Sequence, residues 1–114
     1  MITLTRRMAR RLRGVLRRPA LGLARAGPIA PLVLEADGGR LRARYRHGGL
    51  AVEHDSPCPR ADSGSVALPL EALADFEGRD ETPVAIEAIG PQTTRARWAD
   101  RGVPASREIG RAHV

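Results

Sequence analysis

The sequence predicts an α+β domain of two β-α-β-β-β units, with two helices packed on one face of an antiparallel sheet. Three observations lead to this prediction: an internal repeat, a helical segment early in each half, and three extended segments after each helix. The repeat aligns PLVLEADGGRLRARYRHGGL, residues 31–50, with PVAIEAIGPQTTRARWADRGV, residues 83–103. Duplication is our interpretation, and its alternative is chance matching in a composition rich in Ala, Gly and Arg.

The repeat sets the predicted boundaries of the domain. Identical residues recur as follows: Pro31, Glu35, Ala36, Gly38, Arg42, Ala43 and Arg44 as Pro83, Glu87, Ala88, Gly90, Arg95, Ala96 and Arg97. Tyr45 aligns with Trp98, and we expect both to anchor the core. One domain is therefore predicted over residues 1–108, with the repeats at residues 1–54 and 65–108.

The first half begins with a short apolar segment, residues 1–4, and a helix over residues 6–18. Thr5 is placed to cap that helix, because a threonine hydroxyl accepts a hydrogen bond from a free backbone N–H of the first turn. The apolar face of the helix contains Met8, Leu12, Val15 and Leu16. Pro19 is predicted to end the helix, because proline removes a helical hydrogen bond.

Extended segments follow a connector at residues 20–27. The apolar run 29–36 indicates a strand buried on nearly both faces. Residues 40–46 carry arginine at every second position, which is typical of a half-buried strand with its arginines facing solvent. Another strand covers residues 50–54, and a loop rich in Pro, Asp and Ser, residues 55–64, separates the halves.

The second half repeats this order. A short strand at residues 65–68 leads to Pro69, which begins a helix where its missing N–H is harmless. The apolar face of that helix contains Leu70, Leu73, Ala74 and Phe76, and Gly78 ends it. The remaining strands are predicted at residues 84–89, 93–99 and about 103–109.

Composition narrows the class of protein. A single cysteine, Cys58, forms no internal disulfide and indicates a reducing, cytoplasmic setting. There is no apolar run of the ~18 residues that cross a bilayer. His47, His54 and Asp55 match no metal-ligand spacing, and no nucleophile is paired with a base. We therefore expect no catalytic residues, no metal and no cofactor, and a protein that is not an enzyme.

Positive charge is concentrated toward the N-terminus. Residues 1–47 contain 12 arginines and two acidic residues, whereas residues 48–114 contain seven arginines and 11 acidic residues. The first helix has a face of arginines, and guanidinium groups bind phosphates without reading base edges. This pattern favours sequence-independent nucleic-acid binding, and its alternative is a basic face that is simply solvated.

Four short segments carry a resemblance to a known family. They are Ile2-Thr3-Leu4, residues 28–37 running into Gly39-Arg40-Leu41, Leu50-Ala51-Val52-Glu53, and Val66-Ala67-Leu68-Pro69. In these segments and their spacing, the chain resembles one domain of the bacterial DNA polymerase III beta subunit, the sliding clamp. The resemblance implies a ring of such domains around duplex DNA, with helices lining the hole and sheets outside, that tethers a polymerase during replication.

The resemblance also implies partners and site residues. The partners would be duplex DNA bound without sequence specificity, a DNA polymerase or clamp loader, and further domains or copies that close a homo-oligomeric ring. The arginine face itself predicts Arg6, Arg7, Arg10, Arg13 and Arg17 as nucleic-acid-binding residues, and the resemblance adds Arg25, which lies near a DNA-contacting arginine of the family. The second helix departs from the family, because Glu71, Asp75 and Glu77 replace basic groups and repel phosphate.

The arginine-rich helix has other interpretations. An acid-free amphipathic N-terminus also resembles an organellar transit peptide, although the repeat makes this helix part of the fold. A basic amphipathic helix also binds anionic membrane surfaces, although this one lacks Trp and Phe on its apolar face. The alternative function is therefore a standalone protein-interaction or membrane-surface module.

Residues 109–114, IGRAHV, are predicted to be a non-native tail. The codons ATC GGA AGA GCA CAC GTC encode this hexapeptide and also begin a common sequencing adapter. We therefore expect the native chain to continue beyond Glu108, and interpret the sequence as a fragment of a longer protein.

Overall fold

The computed structural model describes residues 1–23, 31–47, 50–58, 63–91 and 93–110. The strands are β1 (Ile2–Thr5), β2 (Leu32–Asp37), β3 (Arg40–His47), β4 (Leu50–Pro57), β5 (Gly64–Leu68), β6 (Pro83–Gly90), β7 (Thr93–Asp100) and β8 (Val103–Gly110). The long helix is α1 (Arg6–Leu23), and a 3-10 turn (Leu70–Ala72) runs directly into the short helix α2 (Leu73–Phe76). The α+β class and the predicted order of elements are confirmed.

The strands form two four-stranded antiparallel sheets, ordered β1-β6-β7-β8 and β4-β3-β2-β5. The prediction of one sheet is therefore wrong. Each half keeps its last three strands together and gives its first strand to the other half, since β1 pairs with β6 and β5 pairs with β2. The chain crosses between the sheets at each helical segment, since α1 leads from β1 to β2 of the other sheet and α2 leads from β5 back to β6.

The inner faces of both sheets and the buried faces of the helices share one core. In β3, Leu41, Ala43 and Tyr45 point inward and the arginines point outward, as the alternation predicts. The inward side chains are mostly aliphatic, and Phe76 is the largest that is fully buried. This single core holds the two sheets and both helices together.

β2 differs from its prediction. Leu32 and Leu34 are fully buried, but Val33 and Glu35 between them are only partly buried. The strand therefore has one core face and one half-covered face, because the helices lie on only one side of the sheet. Residues 24–30, which include the predicted start of this strand, lie outside the described residues.

The start of α1 follows its prediction and its end does not. Thr5 Oγ1 accepts a hydrogen bond from the Met8 N–H at 3.1 Å, which confirms the cap. Pro19 lies inside the helix, which continues for another turn. The helix continues although proline removes one backbone hydrogen bond and its ring crowds the carbonyl four residues earlier. Val15 was predicted to lie on the apolar face but is 44% exposed, whereas Ala9 is buried.

The second predicted helix is shorter and less regular than expected. It consists of one 3-10 turn and one α-helical turn after Pro69. Leu70, Leu73 and Phe76 are buried as predicted, whereas Ala74 is exposed. Two turns are enough to place these three side chains in the core, and the chain leaves the helix at Glu77 in an extended conformation.

The aligned aromatic residues each join a sheet to a helix. Tyr45 is 3% exposed, and its hydroxyl donates a hydrogen bond to the Leu16 carbonyl of α1 at 2.9 Å. Trp98 is partly buried and packs on Phe76 of α2, with ring centroids 6.0 Å apart. The prediction of a core anchor is confirmed for Tyr45, while Trp98 lies at the edge of the core.

The C-terminal strand includes part of the predicted tail. Ile109 is 7% exposed and pairs with Thr94, and Gly110 pairs with Thr93. Ile109 therefore contributes an apolar side chain to the core. Residues 111–114 lie outside the described residues.

Tyr45→Phe is expected to lower the free energy of unfolding by about 1 kcal/mol, because it removes one buried hydrogen bond. Burial raises the pKa of Tyr45 above its ordinary value, so the folded state favours the protonated phenol. The advantage of the wild type over the Phe variant is fully present below pH ~10 and should shrink as pH rises through the folded pKa. Urea unfolding at several pH values measures both effects, and equal stabilities throughout would contradict the assignment.

Candidate nucleic-acid interface

The first turn of α1 is bound by the segment 77–82 of the second half. The Arg6 N–H donates to the Thr82 carbonyl at 2.9 Å, and the Arg7 N–H donates to the Asp80 carbonyl at 3.0 Å. The Gly78 N–H in turn donates to the Arg6 carbonyl at 3.1 Å. Helix N-termini have N–H groups without partners inside the helix, and here two of them are satisfied by the other half of the chain.

The Arg6 side chain strengthens this contact. Its Nε donates to the Phe76 carbonyl at 3.3 Å and its Nη2 to the Glu77 carbonyl at 3.1 Å. Its Nη1 also lies 3.5 Å from a carboxylate oxygen of both Asp80 and Asp100. With 16% of its side chain exposed and these partners around it, Arg6 holds α1 in place rather than facing solvent.

Neighbouring residues are arranged around this arginine. Gly78 fits because a Cβ at its position would lie 2.8 Å from Arg6 Nε. The pKa of Asp80 is lowered, mainly because Thr82 donates hydrogen bonds to its carboxylate, with a smaller effect from Arg6 and Arg7. The carboxylate is therefore charged where the N-terminal dipole of α1 attracts it.

Two further predicted site residues are also paired with this acidic segment. Arg13 Nη1 lies 3.1 Å from Glu77 Oε1, and 26% of the arginine side chain is exposed. Arg7 lies 2.9 Å from Glu81 and donates to the Arg79 carbonyl, but 58% of its side chain is exposed. Arg13 is thus largely neutralised, whereas Arg7 remains accessible to a ligand.

Three further guanidiniums of α1 face solvent. Arg10, Arg11 and Arg17 are exposed, and none has a carboxylate partner in the part of the chain that the structure describes. We call Arg7, Arg10, Arg11 and Arg17 the cationic face of α1. Arg11 is a member that the sequence prediction missed, although its position one helical turn after Arg7 places it on that face. Arg25 lies outside the described residues.

Most arginines of the strands are charge-balanced, and Arg46 is the exception among the described residues. Six of them pair with carboxylates: Arg40 with Asp55, Arg42 with Glu53, Arg44 with Glu35, Arg95 with Glu108, Arg97 with Glu87, and Arg107 with Asp75. Two of these pairs, Arg44 with Glu35 and Arg97 with Glu87, occupy aligned positions of the repeat. The strongest unbalanced positive charge among the described residues therefore lies on α1.

The acidic residues near α2 have different environments. Glu77 pairs with Arg13, and Asp75 lies 3.0 Å from Arg107 Nε. Glu71 is exposed, and none of the ion pairs in the described part of the chain involves it. The surface around α2 therefore has no excess of positive charge. This agrees with the acidic residues Glu71, Asp75 and Glu77 in the sequence of that segment.

Comparison of the chain with protein-family models, curated proteins and solved structures finds no match. Among the described residues, no group of three or more His, Cys, Asp or Glu side chains could hold a metal ion. None of the described helices combines the length and apolar character needed to span a membrane. The cationic face of α1 is therefore the feature of this chain that best supports a functional proposal.

Arg6→Ala is expected to lower the free energy of unfolding by about 2 kcal/mol, because two helix-end carbonyls and two carboxylates lose their partner. The matched control is Arg10→Ala, an exposed change on the same helix, which should alter stability by less than about 0.5 kcal/mol. Urea unfolding of both variants measures the difference. Equal effects would show that Arg6 does not anchor the helix.

Proposed function

We propose that the cationic face of α1 binds the phosphate backbone of duplex DNA without sequence specificity, in a non-catalytic domain of the sliding-clamp type. The observation that carries this proposal is the distribution of charge. Arg10, Arg11 and Arg17 have no carboxylate partner in the described part of the chain, whereas the six sheet arginines above are paired. Unbalanced guanidinium groups on one exposed surface attract a polyanion.

The size of the cationic face suits a phosphate backbone. From Arg10 to Arg17 the helix rises about 10 Å, which corresponds to about three phosphates of one strand at 3.4 Å of rise each. Guanidinium groups form bidentate hydrogen bonds with phosphate oxygens. Contacts to phosphate oxygens carry no sequence information, so they are available to these guanidinium groups at any sequence.

The clamp-like part of the proposal rests on architecture and on the resemblance in sequence. Two antiparallel sheets have the same arrangement, and α1 and α2 contact each other on the core side of the sheets. In a clamp-like ring, such a domain would turn its helices toward DNA and its charge-balanced sheets outward. A polymerase or clamp loader would be its protein partner, and other domains or copies would close the ring.

The alternative of a membrane-surface helix fits less well. Interfacial helices insert an apolar face into the headgroup region. The apolar face of α1 is used by the core, because Ala9, Leu12 and Leu16 are at most 1% exposed. Among the side chains of α1 that the structure describes, Val15 alone is a large apolar side chain that is exposed. Binding to a hydrophilic polyanion therefore matches the exposed surface better than binding to a bilayer.

A salt titration tests the proposal. Wild-type protein should bind a duplex of arbitrary sequence, with log affinity falling linearly as log salt concentration rises. Replacing Arg10, Arg11 and Arg17 together by Gln should make that slope shallower by about three, or about one for each phosphate that the variant no longer neutralises. Fluorescence anisotropy with several unrelated duplexes at a series of salt concentrations measures both quantities.

The matched control removes the same charge elsewhere. Arg46, Arg79 and Arg101 are exposed and also lack a carboxylate partner within the described ranges. Replacing these three by Gln should leave most of the salt slope intact. If both triple variants bind equally, the proposal is wrong. Binding to anionic vesicles without binding to duplex DNA would instead favour the membrane-surface module.

Glu81→Gln is expected to raise duplex affinity by up to about fivefold, because it releases Arg7 from an exposed ion pair worth about 0–1 kcal/mol. The control is Glu108→Gln, whose side chain is 62% exposed against 63% for Glu81 and which pairs with Arg95 on the outer sheet face. Anisotropy at low salt compares the two. If Glu108→Gln raises duplex affinity as much as Glu81→Gln does, the gain comes from net charge and not from the release of Arg7.

A further inference from the structure

A glycine lies at the centre of the cationic face. Gly14 is exposed, and a Cβ at its position would meet nothing within 4 Å. It forms part of an open depression on α1 that is also lined by Arg7, Arg10, Arg11 and Val15. The surface above this residue is therefore free, with guanidinium groups at its border.

Nothing inside the described part of the protein requires glycine here. The backbone of Gly14 is helical, and no neighbouring atom would clash with a side chain. Glycine in the interior of an exposed helix is less favourable than alanine by about 1 kcal/mol. The helix is thus weakened at a position where the fold itself would accept any good helix former.

The positions around Gly14 are unusual in their charge. Residues three and four positions away are surface neighbours on a helix, so position 14 is surrounded by positions 10, 11, 17 and 18. All four are arginine in the sequence. The sequence thus places four positive charges around one position of the helix, and like charges repel. An anion centred over the glycine would relieve this repulsion.

We propose that Gly14 is the floor of a phosphate seat, in which one backbone phosphate approaches the helix closely and is held by Arg10, Arg11 and Arg17. This inference rests on the proposed function and specifies where the phosphate binds. Without a side chain at position 14, the phosphate lies nearer the helix, and guanidinium groups from the turns on either side reach its oxygens together. A larger side chain would occupy that space and hold the phosphate away.

Substitutions of Gly14 test the seat. Gly14→Ala should raise the melting temperature, because alanine is the better helix former. Gly14→Leu should lower duplex affinity by about tenfold, the equivalent of roughly one charge-assisted hydrogen bond. Gly14→Ala should fall between wild type and Gly14→Leu in affinity. Anisotropy with a labelled duplex at fixed salt and thermal unfolding measure the two properties.

Ala74→Leu is the matched control, since it adds a leucine at another exposed helical position that does not line the depression. It should bind duplex within about twofold of wild type, well below the effect of removing one charge-assisted hydrogen bond. If wild-type protein shows no salt-dependent duplex binding, the proposed function fails. Thermal unfolding first shows that Gly14→Leu is folded. If that variant then binds duplex as well as wild type does, the cationic face remains supported as the binding surface and the phosphate seat is wrong.

Discussion

The structure depends on the contact between the first turn of α1 and the segment 77–82. This contact satisfies N–H groups that a helix cannot pair by itself, and it adds a guanidinium group, from Arg6, that bonds to carbonyls of the second half. It also joins residues about 70 positions apart, so it forms only when both halves are in place. Because it fixes the rotation of α1, it decides which arginines of the helix meet carboxylates and which face solvent.

This arrangement explains how the uneven charge of the sequence is distributed over the structure. The acidic second half neutralises one side of the basic helix through Glu77, Asp80 and Glu81, and cross-strand carboxylates neutralise five arginines of the sheets. Exposed ion pairs contribute little stability one by one. Their larger consequence is to leave Arg10, Arg11 and Arg17 unpaired together on one surface, where a polyanion could engage several at once.

The sequence was informative where the pattern is local. Alternation in β3, the turns between strands and the hydroxyl of Thr5 predicted elements that the structure contains, because neighbouring residues determine them. The exchange of β1 and β5 was not predictable, since a strand of four or five residues does not specify its partner strand. The same holds for the site: helical spacing could have identified Arg11, but no local signal places Arg6 and Arg13 against acids 64 or more residues away.

The way α1 is held suggests why its exposed face could bind well despite having few contacts. The strand before the helix belongs to one sheet, whereas Tyr45 of the other sheet bonds to the carbonyl of Leu16 near the middle of the helix. The helix is thus fixed to both sheets, and its guanidinium groups extend from a backbone that does not need to be ordered on binding. Ordering flexible groups opposes association, so a pre-positioned helix retains more of the electrostatic attraction as affinity. In a ring of such domains, the same rigidity would keep each cationic face at a constant distance from the duplex.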